Sequence, residues 1–157
     1  MYAGEEASLD DRWDCLYREY RDELYRGACL LVGVHDAEEV VQEAFERAMR
    51  EPQFFERVRN PAAWLRVVGA RQALTRLRRA QRWQAIQSLL RPTPPPDTDV
   101  DLERALTRLS ATQRGAVVLR YYHGLDYTEI AAALDVAPAS VGPILTRARA
   151  ALREMVR

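Results

Sequence analysis

The fold is decided by residues 126–149, which read DYTEIAAALDVAPASVGPILTRAR. Asp126 with Glu129 three residues later is a capping box, which predicts a short helix over 127–134. After a tight turn, Pro138 begins a second amphipathic helix. A small apolar wedge is expected between the two helices, from Ile130, Ala131, Leu134, Val136, Val141 and Leu145. The pattern favours a DNA-binding helix-turn-helix over a plain helical hairpin, and the second helix would enter the major groove.

Helical periodicity extends over most of the remaining chain, and no window alternates with the two-residue period of a strand. Ser8 with Asp11 predicts a first helix from about Leu9 to Val32. Asp36 is expected to cap a second helix that ends near Arg50. Further helix starts are predicted at Pro61, near Asp101 and after Ser110, whose helix is expected to end at Gly124.

The helical pattern is broken once, at Arg91–Asp99, which reads RPTPPPDTD. Consecutive prolines cannot continue a helix and prefer an extended, semi-rigid form. A chain of 157 residues fits one domain or two small ones. We therefore expect an all-α protein with a three-to-four-helix bundle in residues 1–87, a linker in 88–101 and a helix-turn-helix domain in 102–157.

The zero net charge hides a strong split along the chain. Residues 1–60 hold 15 acids and 8 arginines, whereas residues 61–91 hold 7 arginines and no acid. Such a basic block indicates a polyanion-binding face. A solvated helix balanced by the acidic N-terminal part is the alternative, and charge alone leaves both open.

Several classes of function are not expected. No apolar run approaches the ~20 residues needed to span a bilayer, and the acidic first fifteen residues lack the apolar segment of a signal peptide. Cys15 and Cys29 have no metal-ligand spacing and are typical of a reduced, cytoplasmic protein. His35 and His123 are far apart, and no glycine-rich phosphate loop or nucleophile motif is present. We predict no enzyme, no metal, no cofactor and no membrane contact of the protein's own.

Four motifs, in order, make the chain resemble an extracytoplasmic-function (ECF, group 4) sigma factor of the sigma-70 family. DAEEVVQEAFERAM, residues 36–49, is similar to the family's core-polymerase-binding helix. PAAWLRVV (61–68) with RLRR (76–79) resembles the segment that melts and reads the −10 promoter element. LSATQRGAVVLRYYHGLDYTEIAAALDV (109–136) resembles the opening of sigma domain 4, and RARAALRE (147–154) matches its final helix.

The resemblance implies an alternative sigma factor that binds the clamp helices and flap of core RNA polymerase and directs transcription initiation at promoter DNA. Core-polymerase contacts would come from Asp36, Glu38, Glu39, Val40, Gln42, Glu43, Phe45 and Glu46. Contacts to the −10 element would come from Trp64, Arg66, Arg71, Thr75, Arg76, Arg78, Arg79 and Arg82. Contacts to the −35 element would come from Thr128, Ser140, Gly142, Pro143, Thr146, Arg147 and Arg149. An anti-sigma factor is also implied as a partner.

The chain departs from the family pattern at two places. Arg71 and Thr75 stand where Asn and Asp are usual, and Gly142, Pro143 and Ile144 stand where Lys, Ser and Arg would reach the −35 element. Glycine and proline weaken a helix, so a kink is predicted at Pro143. We expect −35 binding that is weaker than in typical members or that uses different bases.

Several interpretations stay open. Trp64 is either a stacking surface for an unpaired base or, as is more common at helical spacing, a core residue. The linker either threads toward the polymerase active-site channel or acts as a plain spacer. The whole chain is alternatively a sigma-like adaptor that binds polymerase or an anti-sigma partner but reads DNA poorly. An ordinary helix-turn-helix regulator is a third interpretation, and it leaves the acidic helix unexplained.

Overall fold

The computed structural model describes residues 7–89 and 102–155. Most of the predicted linker, residues 90–101, therefore lies outside the described residues. The described residues contain no strand, which agrees with the all-α prediction. The elements are α1 (Leu9–Val32), α2 (Val34–Arg50), α3 (Phe54–Arg57), α4 (Pro61–Ser88), α5 (Leu102–Thr107), α6 (Ala111–Val117), a π-helical turn (Val118–Tyr122), α7 (Tyr127–Leu134) and α8 (Pro138–Met155).

Local capping signals set most of the helix starts. Three reciprocal capping boxes are formed, in each of which the cap side chain accepts a backbone N–H and the third helical residue bonds back. The caps are Ser8, Ser110 and Asp126. Asn60 caps α4 by accepting a hydrogen bond from the Ala63 N–H, and Pro61 occupies the first turn, where its missing donor costs nothing.

Two local predictions were wrong, and one short helix was missed. Asp36 does not cap α2, because Gly33 adopts φ 83°, ends α1 and allows α2 to begin at the next residue. The helix after Ser110 does not run regularly to Gly124: α6 gives way to the π-helical turn, which ends at Tyr122. The one-turn helix α3 was not predicted, and it follows Gln53 in the left-handed region.

An aromatic cluster closes the outer end of the N-terminal region (residues 7–89). Trp13 stacks on Phe54, and Trp64 meets the same Phe54 ring edge-on, with centroids 5.1 Å apart in both pairs. These rings pack against buried α1, α2 and α4 side chains. Trp64 is thereby half-buried in a packed cluster rather than presented as an open stacking surface.

The two helical regions share one core. Buried α1, α2 and α4 side chains belong to the same apolar cluster as buried side chains of the C-terminal region (residues 102–155). Leu74 of α4 is 1% exposed, and a Cβ on Gly115 of α6 would fall 2.7 Å from its Cδ2 atom. The absence of a side chain at Gly115 therefore allows α6 to pack closely against α4.

The helix-turn-helix forms as predicted. Asp135 in the turn has a φ of 57°, and the chain bends by 88° between α7 and α8. Of the predicted wedge residues, Val136 is half-buried and the other five are buried: Ile130, Ala131, Leu134, Val141 and Leu145. α8 continues as one helix through Pro143, and the kink there stays a prediction.

No single helix within 7–89 or 102–155 is both long enough and apolar enough to cross a membrane; α7 and α8 meet those criteria only as the bent pair.

Leu74→Ala should destabilise the protein more than the same substitution at an exposed leucine. Removal of a fully buried leucine side chain leaves a cavity between the two regions, and we expect a loss of about 2–5 kcal/mol of unfolding free energy. Urea denaturation followed by circular dichroism measures it. Leu9→Ala is the control, because Leu9 is 59% exposed and such changes stay within about 0.5 kcal/mol. Equal effects of the two substitutions would contradict the shared core.

Candidate functional site

The first candidate surface is the outer face of α2. Asp36, Glu38, Glu39, Gln42 and Glu46 are exposed on it, and Glu43 is half-buried. Val40 and Phe45, which the resemblance placed among the polymerase contacts, are buried in the protein's own core. These two side chains anchor α2, while the acidic side chains form the accessible surface.

A groove of about 340 Å³ runs between α1 and α2. Its floor is apolar and includes Met49, which is 62% exposed. The rim is acidic, and Arg21 crosses it to contact the Glu38 carboxylate at 3.3 Å. An amphipathic helix with basic flanks is complementary to such a groove. The lining residues are Tyr17, Arg21, Tyr25, Glu38, Val41, Gln42, Phe45, Glu46 and Met49.

The α1 wall of this groove was missed in the sequence. Tyr17, Arg21 and Tyr25 recur every four residues, which places them on one face of a helix. That spacing could have indicated a second functional face on α1, beside the stripe of core residues.

Arg66, the first arginine of the basic block, is held inside the protein. Its Nε and Nη2 atoms donate to the two Glu23 carboxylate oxygens at 2.7 and 3.0 Å. This charge-assisted pair lowers the pKa of Glu23 and raises the pKa of Arg66. Arg66 therefore ties α4 to α1, and it is not directed at solvent as the phosphate-binding prediction requires.

Arg76 joins the arginine-rich helix to the acidic one. Its guanidinium donates to Glu39 at 3.1 Å and to Glu43 at 2.5 Å, with Asp36 at 4.0 Å. The hydrogen bond from Arg76 lowers the pKa of Glu39. Arg76, which is predicted to contact the −10 element, is thereby paired with side chains that are predicted to contact polymerase.

Arg71 and Thr75, the two departures from the family pattern on α4, lie beside the helix-turn-helix. The Nε and Nη2 atoms of Arg71 donate to the backbone carbonyl of Ala132 in α7, at 2.9 and 2.6 Å. Thr75 Oγ1 donates to the Arg71 carbonyl at 2.9 Å. Arg71 is thus engaged with the C-terminal region.

Three further arginines of the block lie on α4, and two of them are exposed. Arg79 and Arg82 are exposed, and Arg78 is half-buried. A polar cleft of about 540 Å³ opens between α2 and α4, with more basic than acidic groups around it. Positive charge on an open cleft suits nucleic-acid phosphates. The cleft is lined by Glu43, Arg47, Arg71, Gln72, Thr75, Arg76 and Arg79.

The predicted −35 residues lie on or beside the recognition helix α8. Thr128, Pro143, Thr146, Arg147 and Arg149 are exposed, while Ser140 and Gly142 are half-buried. The Arg149 guanidinium lies over the Tyr121 ring, 5.2 Å from its centroid, and Thr146 Oγ1 donates to the Gly142 carbonyl. Arginine is therefore the main charged group among the exposed residues of this predicted set.

Polar contacts between the two regions were also missed. His123 follows the π-helical turn, its side chain is 5% exposed, and its Nδ1 lies 3.3 Å from Glu23 Oε1. Burial lowers the pKa of His123, partly offset by the Glu23 carboxylate. Gln81 of α4 donates to the Leu109 carbonyl and accepts from the Ala111 N–H. Arg114, which is buried, donates to the Leu30 carbonyl at the end of α1.

Within the described parts of the chain, no cluster of three His, Cys, Asp or Glu side chains could hold a metal ion.

Comparison with known proteins defines the class to which these regions belong. The family model for sigma-70 region 2 matches residues 16–83, and the model for sigma-70 region 4 matches residues 99–152. A protein with both regions in this order is a sigma factor. The ECF RNA polymerase sigma factor SigL of Mycobacterium tuberculosis is 33% identical, over 88% of this chain and 85% of SigL. The chain belongs to the sigma-70 family, among its ECF sigma factors.

Other relatives extend the comparison. SigE of Mycolicibacterium smegmatis is 33% identical over 96% of this chain, which spans only 63% of the length of SigE. The solved complex of sigma factor RpoE with anti-sigma factor NepR from Bartonella quintana matches with a TM-score of 0.70 and 25% identity, over 92% of this chain and 96% of RpoE. CnrH, solved with the cytosolic domain of CnrY, has the same fold, with a TM-score of 0.69 and 23% identity over 95% of this chain and 90% of CnrH. The sigma-70 family consists of non-enzymatic transcription factors.

Acid should destabilise the protein through His123 and Glu23. The folded pKa of His123 lies below its ordinary 6.5, so the unfolded chain binds more protons and stability is lost as the pH falls through 6.5. The lowered pKa of Glu23 adds a second loss as the pH falls through its ordinary 4.5. We expect the urea concentration at the unfolding midpoint to decrease when the pH is lowered from about 7.5 to about 5.5.

The two histidines of the chain supply the matched comparison. His123→Gln should flatten the pH dependence above pH 5.5, because glutamine does not titrate (about pH 5.5 is one unit below the ordinary histidine value). His35→Gln should leave it unchanged, since His35 is exposed. An unchanged slope in His123→Gln would refute the assignment.

Proposed function

We propose that the chain is an alternative sigma factor that binds core RNA polymerase and directs promoter recognition, −10 melting and transcription initiation. The observation that carries the proposal is the placement of two unlike surfaces on opposite sides of α2. The acidic-rimmed groove lies between α1 and α2, and the arginine-lined cleft lies between α2 and α4. One helix thus separates a protein-docking surface from a nucleic-acid surface.

The groove is proposed as the docking site for the clamp helices of polymerase. Tyr17 and Met49 offer exposed apolar surface, and Glu38 and Glu46 offer the acidic rim. Such a rim would accelerate association with a basic partner and fix its register. The flap is proposed to bind the C-terminal region.

The cleft and the outward arginines are proposed to hold the opened −10 strand. Arg78, Arg79 and Arg82 would contact phosphates, while Arg71 and Thr75 line the cleft where bases would enter. Arg66 would act by holding α4 on α1. Trp64 would support this surface from within the aromatic cluster, which favours its role as a core residue.

The helix-turn-helix is proposed to contact the −35 element mainly through phosphates. Arg147 and Arg149 remain as cations, with hydroxyls from Thr128, Ser140 and Thr146. Gly142 and Pro143 offer no side-chain donor to a base edge, and direct readout requires such donors.

The sequence-based organisation is retained as part of the proposal: region 2 in 1–87, a linker in 88–101 and region 4 in 102–157. An anti-sigma factor is proposed as a partner, since RpoE and CnrH were each solved with a second protein, NepR and the cytosolic domain of CnrY. The protein would act in the cytoplasm, where polymerase and promoters lie, without catalytic activity or a cofactor.

A sigma-like adaptor is the second candidate. It would bind polymerase or an anti-sigma partner through the same groove and read DNA poorly. Gly142, Pro143 and Ile144 on the recognition helix favour it, because none of them supplies a charged group.

Run-off transcription with purified core polymerase on a fragmented genomic library tests the proposed function. Transcript starts that need this protein and share upstream elements are expected. Comigration with core polymerase without any new start would favour the adaptor and overturn the sigma-factor proposal.

Charge reversal in the groove should weaken polymerase binding. Glu38→Lys with Glu46→Lys removes the acidic rim, and we expect at least a tenfold loss of affinity for core polymerase, about 1.4 kcal/mol. Fluorescence anisotropy of labelled protein measures it. Asp14→Lys is the control, since Asp14 is exposed on α1 and does not line the groove. Equal affinity of the two variants would exclude the groove as the docking site.

Transcription should depend weakly on the −35 sequence. For a specific reader each mismatched base pair costs about 1–3 kcal/mol. With the holoenzyme on a mapped promoter, we expect replacement of the whole −35 element to lower run-off by less than the ~5-fold of one such mismatch. A much larger drop would mean that the recognition helix reads bases despite Gly142 and Pro143.

A further inference from the structure

Trp83, near the end of α4, is an exposed tryptophan. Its exposed fraction is 60%, whereas Trp13 and Trp64, the other two tryptophans of the chain, are half-buried in the aromatic cluster. Trp83 belongs to none of the apolar clusters formed by the described residues. The core therefore does not depend on this side chain, although its ring leaves a large apolar area in water.

The last turns of α4 extend beyond the packed core. Every α4 residue from 82 to 87 is exposed, and Ile86 among them has an exposed fraction of 53%. Residues three positions apart are neighbours on a helix surface. Trp83 and Ile86 therefore form one continuous apolar patch on the projecting end of the helix.

Trp83 continues the face of α4 that lines the cleft between α2 and α4. Arg71, Thr75 and Arg79 line this cleft and recur every four residues along α4, and Trp83 is the next residue of the series. Relative to Arg79 it is displaced by about 6 Å along the helix axis and by about 40° around it. Trp83 thus lies one turn beyond the last α4 residue that lines the cleft.

The surroundings of this patch are basic. Residues 61–91 contain no acid, and the two nearest arginines in the chain, Arg79 and Arg82, are both exposed. Cations along a groove hold phosphates, and an aromatic side chain beside them stacks on a base; sites for single-stranded nucleic acid combine these two features. In a symmetric dimer built on this face the arginines of both copies would repel each other, so the charge favours nucleic acid over a second copy of this chain.

The ring suits an unpaired base rather than a duplex. In a duplex the bases stack on one another and present only their edges in the grooves. An opened strand exposes the faces of its bases, and every base has a face that can stack on an aromatic ring. The cleft is the surface assigned above to the opened strand, and Trp83 lies at its end.

We propose that Trp83 is a stacking platform for an unpaired base of the strand that the cleft holds. Arg79 and Arg82 would contact the phosphates beside that base, and Ile86 would cover its edge. The stacking role that the sequence left open for Trp64 thus belongs to Trp83. This inference deepens the proposed function and rests on it for the identity of the strand as the opened −10 strand.

Binding of fluorescein-labelled oligo(dT)12 to the full chain, measured by fluorescence anisotropy, tests the platform. We expect Trp83→Ala to bind at least ~5-fold more weakly than wild type, the low end of what base stacking on an aromatic ring contributes. Trp83→Phe should keep most of the affinity, because a ring remains. Gln84→Ala is the matched control, since Gln84 is the next exposed residue and lies on another side of the helix. No binding by wild type, or equal binding by Trp83→Ala and Gln84→Ala, would overturn the proposal.

The salt dependence of the same binding separates stacking from charge. Arg79→Ala should reduce the slope of log affinity against log salt by about 0.7, the value for one phosphate contact on a single strand. Trp83→Ala should lower the affinity with the slope unchanged. A reduced slope in Trp83→Ala would mean that the side chain only positions the arginines, which contradicts stacking.

Two further measurements report on the ring itself. Tryptophan emission of wild type should be quenched by oligo(dT)12, and Trp83→Phe should lose this quenching although Trp13 and Trp64 remain. A DNA hairpin with a fully paired stem should bind wild type and Trp83→Ala equally. Absence of quenching in wild type, or an equal loss of hairpin binding, would refute an unpaired base as the occupant.

Stability and oligomeric state provide the controls. Trp83→Ala should leave the urea midpoint unchanged within about 0.5 kcal/mol, because the side chain lies outside the core. Sedimentation equilibrium should show a monomer for wild type. A wild-type dimer that Trp83→Ala converts to a monomer would make the patch a contact between copies and overturn the proposal.

Run-off transcription connects the platform to the proposed function. On a mapped promoter, holoenzyme with Trp83→Ala should give less transcript than holoenzyme with Gln84→Ala, at equal affinity for core polymerase. Equal run-off would overturn the assignment of the stacked base to the −10 strand. If wild type starts no transcript, the proposed function fails, while the oligo(dT)12 comparison still decides whether Trp83 stacks on a base.

Discussion

The apolar ridge of α4, formed by Ala70, Ala73, Leu74 and Leu77, is the constraint on which the rest of the structure depends. It is buried in a cluster that contains side chains of both helical regions. Because one ridge serves both regions, the positions of the arginines on the other faces of α4 follow from it. The same burial brings the helix-turn-helix against the arginine-rich helix, so packing is linked to the accessibility of the face that is proposed to bind DNA.

Part of the charge split along the chain is neutralised by ion pairs within the fold. Sequence alone left open whether the arginine block binds a polyanion or is balanced by the acidic N-terminal part. Arg66 and Arg76 are balanced by acidic side chains of the N-terminal part. Arg66 pairs with a carboxylate on α1, and Arg76 pairs with carboxylates on α2. Arg79 and Arg82 stay exposed, as the proposed phosphate contacts require. The block is therefore divided by helical phase: arginines facing α1 and α2 stabilise the bundle, and those facing outward are the ones proposed to contact DNA.

Local signals in the sequence were sufficient for most of the fold. Capping boxes at Ser8, Ser110 and Asp126 act over three residues, so they could be recognised before any tertiary contact was known. The failures involve backbone geometry or distant partners. Gly33 replaced Asp36 as the boundary of α2 through a positive φ, and the sequence contains no pattern that pairs His123 with Glu23, a hundred residues away. The exposed part of the candidate site could be proposed from the resemblance, whereas the contacts of Arg66, Arg71 and Arg76 with other parts of the protein required the fold.

The departures from the family pattern on α4 and α8 have separate structural consequences. Arg71 reaches the Ala132 carbonyl through a long side chain with two donors on one edge, and the asparagine usual at this position is three bonds shorter. Gly142 lies beside Tyr127 and has no side chain. A Cβ at this position would make only an ordinary contact with the Tyr127 ring. The first departure adds a contact between the regions, and the second removes a potential contact to DNA. The two departures therefore act at different places, Arg71 between the two regions and Gly142 on the face that is proposed to meet the −35 element.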